Sequence, residues 1–221
     1  DSSCCYSNGQ LLNQIGQDID GEAEGDQSGN SVSLSLDGNI VAIGAYRNDG
    51  NGNDAGHVRI FENIGGSWTQ IGQDIDGESV EDQSGIAVSL SSDGNIIAIG
   101  APFNDGNGTN AGHVRIYENI VGNWTQIGQD IDGEAAHDQS GNRVSLSSDG
   151  NTVAVGAPYN DGNGSSSGHV RIYENIGGSW SQIGQDIDGE AAGDFSSWWV
   201  SLSSDGNTVA IGAQYNDGNG S

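Results

Sequence analysis

Polar and apolar residues alternate in short runs along this chain, and no apolar stripe recurs at helical spacing. Alternation with period two marks a strand with one buried face. Residues 71–126 show the pattern once in full. Ala87-Val88-Ser89-Leu90-Ser91 alternates and predicts a strand with Val88 and Leu90 pointing inward. Ser92-Asp93-Gly94-Asn95 predicts a hairpin turn, because Asp-Gly accepts positive φ. Residues 96–101 form a mostly apolar run, as in a strand covered on both faces. A Gly/Asn-rich loop fills 104–112, and His113-Val114-Arg115-Ile116-Tyr117-Glu118 alternates again. Val121-Gly122-Asn123 turns the chain into a fourth strand, Trp124-Thr125-Gln126-Ile127, and residues 129–141 make a polar connection.

The same unit recurs. The octet IGQDIDGE begins at Ile15, Ile71, Ile127 and Ile183, a constant period of 56 residues, and NDGNG begins at Asn48, Asn104, Asn160 and Asn216 with that period. Four short antiparallel strands per unit describe a β-propeller-type blade. A lone meander cannot bury both faces, so the units are expected to stack in a ring or an open array. The fold class is therefore all-β, with blades at 15–70, 71–126 and 127–182 and an incomplete fourth at 183–221. Residues 1–14 are expected to hold one partial strand, since 7–14 align with the fourth strand of a unit. The last unit lacks a counterpart of the His113–Glu118 strand, so the chain is expected to be a piece of a longer array or to receive that strand from a neighbour.

Composition sharpens this picture. Thirty-one acids against five basic residues give a net charge of −26 in 221 residues. Such a surface repels nucleic acid and anionic membranes, attracts divalent and cationic partners, and keeps a protein soluble in salt. No apolar run is long enough for a membrane-spanning helix. The two cysteines, Cys4 and Cys5, are adjacent, and a vicinal disulfide is strained. Each is expected to pair outside this chain, which places the protein outside the cell or on its surface.

Val153-Ala154-Val155-Gly156-Ala157-Pro158-Tyr159 followed by Gly168-His169-Val170-Arg171-Ile172-Tyr173 resembles the FG-GAP repeat. That repeat builds the seven-bladed propeller of integrin α-chains and occurs in many secreted microbial proteins. Gly-Ala-Pro recurs at 100–102 and becomes Gly44-Ala45-Tyr46 and Gly212-Ala213-Gln214 in the outer units. The variant found here resembles long arrays of marine microbial and algal surface proteins. In the integrin type, calcium occupies an Asp-rich loop between strands 1 and 2. Here that loop, Ser91-Ser92-Asp93-Gly94-Asn95, holds one carboxylate, so neither that site nor integrin-type ligand recognition carries over.

The connecting octets offer another place for calcium. Asp18, Asp20 and Glu22 alternate, with Asp26 after them; the copies are Asp74, Asp76, Glu78 and Asp82, then Asp130, Asp132, Glu134 and Asp138, then Asp186, Asp188, Glu190 and Asp194. Calcium takes six to eight oxygens, which such loops can supply in part. The structural alternative is that these acids cap turns or pair with Arg59, Arg115 and Arg171. His57, His113 and His169 open the third strand of each unit with no second His or Cys at ligand spacing, which favours a packing role. Trp68, Trp124 and Trp180 fit either the apolar cover of the fourth strand or a sugar-stacking surface. Trp198-Trp199 replace small or polar residues of the other units and suggest an interface or ligand contact, or a local change in packing. Asn107, Asn123, Asn163 and Asn219 begin glycosylation sequons.

The paired carboxylates recur in every unit, whereas an active site is usually one asymmetric constellation. The chain is therefore expected to be non-enzymatic. One expectation is a structural or adhesive repeat protein that self-associates or packs on neighbouring domains. The other is a calcium-dependent module that binds a glycan or surface protein within a larger receptor or secreted hydrolase.

Overall fold

The computed structural model describes residues 13–218 together with the backbone of Tyr6–Ser7 and Gln10–Leu11. Cys4, Cys5 and Asn219 lie outside the described residues. A short hairpin pairs β1 (Tyr6–Ser7) with β2 (Gln10–Leu11). Then come three repeats of one antiparallel sheet. The first blade holds β3 (Ser31–Leu34), β4 (Ile40–Ala45), β5 (His57–Ile64), β6 (Ser67–Gln70) and β7 (Ile75–Asp76). The second holds β8 (Ala87–Leu90), β9 (Ile96–Ala101), β10 (His113–Ile120), β11 (Asn123–Gln126) and β12 (Ile131–Asp132). The third holds β13 (Arg143–Leu146), β14 (Thr152–Ala157), β15 (His169–Ile176), β16 (Ser179–Gln182) and β17 (Ile187–Asp188). The fourth holds β18 (Ser196–Leu202) and β19 (Val209–Ala213). No helix occurs among the described residues, and none of the sheets closes into a barrel.

The strands follow the alternation. In the second blade they pair in the order β11–β10–β9–β8, with Leu90 opposite Ile97 and Val114 opposite Gly100. The turn between β8 and β9 is held by one carboxylate. Asp93 accepts hydrogen bonds from the Ser91 hydroxyl at 2.7 Å, the Asn95 amide at 3.0 Å and the Asn95 side chain at 3.0 Å.

The octet is more than a polar connection. Its Ile75–Asp76 pair with His57–Val58, so it adds a strand to the preceding blade's sheet. It also meets the following blade: the Trp124 indole donates to the Ile71 carbonyl at 3.0 Å, and the Arg115 guanidinium donates to the Asp76 carbonyl at 2.6 Å. Each sheet thus begins at the innermost strand and ends inside the next octet.

The core lies between blades. Ala42, Val58, Ile60 and Ile75 of one blade pack against Leu90, Ile97, Ile99, Tyr117 and Trp124 of the next, and the following junction repeats this set. The innermost strands β3, β8, β13 and β18 are direct neighbours. Serine hydroxyls link them: the amides of Leu90, Leu146 and Leu202 donate to Ser33, Ser89 and Ser145, each at 2.9 Å. Gly100 allows this approach, since a Cβ there would collide with the carbonyl of Gly141 in the next blade.

Burial at equivalent positions therefore depends on the neighbour. Leu146 is 7% exposed, whereas its counterpart Leu34 in the first blade is 57% exposed. Leu146→Ala is expected to lower stability by about 2–4 kcal/mol and Leu34→Ala by less than about 1 kcal/mol. Urea denaturation of both variants checks this; equal losses would mean that the blade junctions do not carry the core.

Candidate functional site

The buried histidine of each junction is the centre around which successive octets meet. In the second blade the imidazole of His113 opens β10 and is 1% exposed. Its Nδ1 lies 3.9 Å from Glu78 Oε2 and 3.9 Å from Asp130 Oδ2. Glu78 closes one octet and Asp130 sits in the next, and β10 runs between them. The grouping recurs as Glu22, His57 and Asp74, and as Glu134, His169 and Asp186. Their imidazole–carboxylate distances are 3.8 to 4.0 Å. These separations exceed hydrogen-bond length. Nε2 of His57 and His113 and Nδ1 of His169 are buried without a hydrogen-bond partner.

Arginine orients the glutamate. Arg115 Nη1 lies 3.5 Å from Glu78 Oε1, leaving Oε2 toward the histidine, while its guanidinium sits 5.5 Å from the centre of the Tyr117 ring. Burial pushes the His113 imidazole down to about 4, with Arg115 acting in the same direction and Asp130 against it. Burial also lowers His169 and raises the Glu78 carboxyl, the latter partly offset by Arg115. Tyr173 is pushed up to about 12, first by burial.

The octet acids thus separate into different roles. Within one octet Asp74 faces His57 and Glu78 faces His113, so the first and last acids of an octet serve two different clusters. Asp74, Asp130 and Asp186 also accept from Gln70, Gln126 and Gln182 at 2.6 Å, and Asp18 accepts from Gln14 at 2.8 Å. Asp26, Asp82, Asp138 and Asp194 are buried braces. Asp82, for example, accepts from the Ser79 amide at 3.0 Å and the Asn104 side chain at 3.0 Å. Asp20, Asp76, Asp132 and Asp188 have exposed side chains. Around the second histidine, Glu78, Asp82, Asp105, Asp130 and Asp132 line an acidic pocket of about 510 Å³. Glu190 and Asp194 both accept from the Asn216 side chain. The partners of each histidine lie 35 residues before it and 17 after it, as Glu78 and Asp130 do for His113. That fixed offset was the available signal; a search for nearby His or Cys passes over it.

Trp124 and Trp180 cover the blade edge, each 4% exposed. Trp198 and Trp199 depart from the repeat. The register of β18 against β19 slips between Ser196 and Trp199, forming a bulge, and Ser197 there has φ of 75° where Gly141 of the previous blade has 83°. Trp199 is 65% exposed and stacks beneath the Arg143 guanidinium at 4.5 Å. Trp198 meets Tyr159 and Phe195 edge-on, and Tyr215 adds a fourth ring. The sequon residues Asn107, Asn123 and Asn163 are exposed, but Asn107 and Asn163 donate their side-chain nitrogens to the carbonyls of Gly133 and Gly189 at 2.7 and 2.8 Å.

The family model described as FG-GAP repeat matches residues 19–61 and 131–173. The two spans start 131 − 19 = 112 residues apart, two periods of 56, and each runs from the octet into the third strand. The chain carries FG-GAP repeats. In this FG-GAP chain the loop between strands 1 and 2 spends its single carboxylate on the hairpin, as Asp93 does, which accounts for the departure from the integrin type. No curated protein matches the chain. Among solved structures it is similar to hydrazine synthase from Kuenenia stuttgartiensis, with TM-score 0.52 and 13% identity over 82% of this chain and 42% of that one. A Bacteroides uniformis chain carrying the name 6-phosphogluconolactonase matches with TM-score 0.48 and 12% identity, over 86% of this chain and 65% of that one. The FG-GAP chain therefore spans less than two thirds of the length of either. At these identities the likeness to hydrazine synthase concerns the fold alone.

The histidine cluster sets a pH response. An unfolded histidine takes up a proton near pH 6.5, whereas folded His113 does so only near pH 4. Its contribution is full above 6.5 and is lost as pH falls toward 4, on the order of 3 kcal/mol at most. Glu78, raised by burial, acts in the opposite sense at the lower end of this range. The urea midpoint is expected to fall from pH 7 to pH 5, and His113→Gln to flatten that fall. A midpoint independent of pH in both proteins would remove the buried neutral imidazole from the account.

Proposed function

We propose that this FG-GAP chain is a non-enzymatic extracellular structural or adhesive protein, a filament or surface-coat subunit built by blade stacking and strand pairing. The observation that carries this reading is that each blade completes its core against another copy of the same blade. Val32, Leu34 and Leu36 of the first blade, 64%, 57% and 85% exposed, mark the face that such stacking covers. The counterparts Leu90 and Leu146 are buried by the preceding blade, and the Leu36 amide is already bonded to the Ser92 carbonyl of the next one. What covers this position elsewhere in the molecule is another copy of the same blade. At the far end Ile183, Ile187, Leu202 and Val209 line an apolar groove of about 370 Å³ beside the two-stranded fourth blade. Faces related by a repeat are complementary head to tail, and head-to-tail contacts propagate unless the rotation closes. The adjacent cysteines Cys4 and Cys5 and the charge of −26 support an extracellular setting.

A second reading, a calcium-dependent module for a glycan or surface protein, is favoured by the aromatic pocket at the last junction. Tyr159, Phe195, Trp198 and Tyr215 line about 420 Å³, and the other junctions place Gln27, Gln83 or Gln139 where Phe195 stands. Aromatic rings of this kind stack on the apolar faces of sugars.

Electron microscopy with and without a calcium chelator separates the two. Regular filaments are expected, and Val32→Asp/Leu34→Asp is expected to reduce them to single particles. Discrete particles in every condition, with saturable glycan binding lost in Trp198→Ala, would replace the first reading by the second.

A further inference from the structure

The three histidines share an unusual arrangement: a buried imidazole whose Nδ1 faces two carboxylates at 3.8 to 4.0 Å, beyond hydrogen-bond length, and one of whose ring nitrogens has no partner. Leaving a buried ring nitrogen unpaired costs free energy. A cation placed between the three groups would engage Nδ1, which is the unpartnered atom in His169; in His57 and His113 the unpartnered atom is Nε2, on the other side of the ring. We propose that each blade junction binds a divalent transition ion, of which zinc is representative, through one imidazole and two carboxylates: Glu22, His57 and Asp74; Glu78, His113 and Asp130; Glu134, His169 and Asp186.

The donor set decides the class of ion. Imidazole nitrogen suits zinc and its first-row neighbours, whereas calcium asks for an all-oxygen shell of six to eight ligands. The three donor atoms of each group lie within 4.8 Å of one another. With imidazole–carboxylate distances of 3.8 to 4.0 Å, an equidistant ion would lie roughly 2.1–2.5 Å from each atom, against about 2.0–2.2 Å for bound zinc. A small rotation of the half-exposed glutamate closes that gap.

The surroundings fit the assignment. Arg115 holds the far oxygen of Glu78 at 3.5 Å, and Gln126 donates to Asp130 at 2.6 Å, so both carboxylates are oriented from a second layer. Asp82, Asp105 and Asp132 around the pocket outweigh the arginine charge, and the pocket gives the ion and its water ligands a path from solvent. Because the glutamate and aspartate come from successive octets, the ion would tie one connector to the next across the histidine strand. This inference rests on neither reading of function.

The test uses the full chain, stripped with a chelator and equilibrated with zinc alone. Three zinc ions per molecule are expected to stay bound in excess calcium, one for each group. Glu78→Gln/Asp130→Asn, with both changes on partly exposed side chains, is expected to retain two, a loss of one third. His113→Gln should lose the same ion; where it fails to fold, the carboxylate variant carries the test. Cobalt gives a second readout, a visible ligand-field absorption that should fall by one third in that variant. No retained zinc, displacement by calcium, or an unchanged zinc content in the carboxylate variant would overturn the proposal. The latter two outcomes would place the ion on the diffuse acidic surface. A filament defect with unchanged zinc content would bear on the stacking reading and leave this one standing.

Discussion

The octet IGQDIDGE lies between two blades and is bonded to both. Its central Ile-Asp pair extends the sheet behind it, as Ile75–Asp76 do against His57–Val58. Its carbonyls receive the tryptophan indole and the arginine of the blade ahead, at Ile71 and Asp76. Neither blade can complete its hydrogen bonds without this segment, and unpaired backbone groups in a buried seam are costly. The segment that looks most polar in the chain is therefore the joint on which the packing depends. Its conformation keeps Ile75 and Ile131 buried while the acids beside them remain accessible.

That joint accounts for the constant period of 56 residues between copies. Along the innermost strands and the turns that follow them, bonds between blades link residues 56 or 57 positions apart, including Leu36 to Ser92, Ser92 to Ser148 and Ser148 to Ser204. One extra residue would shift a serine hydroxyl or a glycine out of register and bring side chains into a contact built for backbone. The fourth blade shows the consequence of a local change. Ser197 replaces the glycine at the close approach, its backbone keeps the left-handed φ, and β18 bulges, with Trp198 packed on Tyr159 and Phe195 and Trp199 exposed. The strain of a non-glycine residue there accompanies the aromatic pocket of Tyr159, Phe195, Trp198 and Tyr215.

Uniformity also shapes the electrostatics. The same buried histidine meets the same two carboxylates three times, and each grouping combines a low-dielectric imidazole with a solvent-facing acidic rim. A protein with this charge would repel itself if every acid stood free. Here the acids are divided among turn locks, loop braces and histidine clusters, so part of the charge is tied to specific donors. Asp149, for instance, is held below the usual carboxylate range first by the Ser147 hydroxyl and then by the Asn151 amide.

Period-two alternation and the exact repeat were enough to place the four strands of each unit, because side-chain direction in a strand follows from sequence parity alone. Positions 88 and 90, the Asp93-Gly94 turn and the buried tryptophans were legible for that reason. The roles of the octet were not. Asp74 and Glu78 stand four residues apart and alternate on paper, yet they serve different histidines, because the segment changes partners from one blade to the next. His113 looked isolated because its neighbours lie 35 residues behind and 17 ahead. Local sequence determines which residues can be strands and turns; it carries no record of which distant groups share a junction. Only the stacking of the blades decided that, since stacking buries the imidazole, sets its distance to the carboxylates and leaves Leu34 bare where Leu146 is covered.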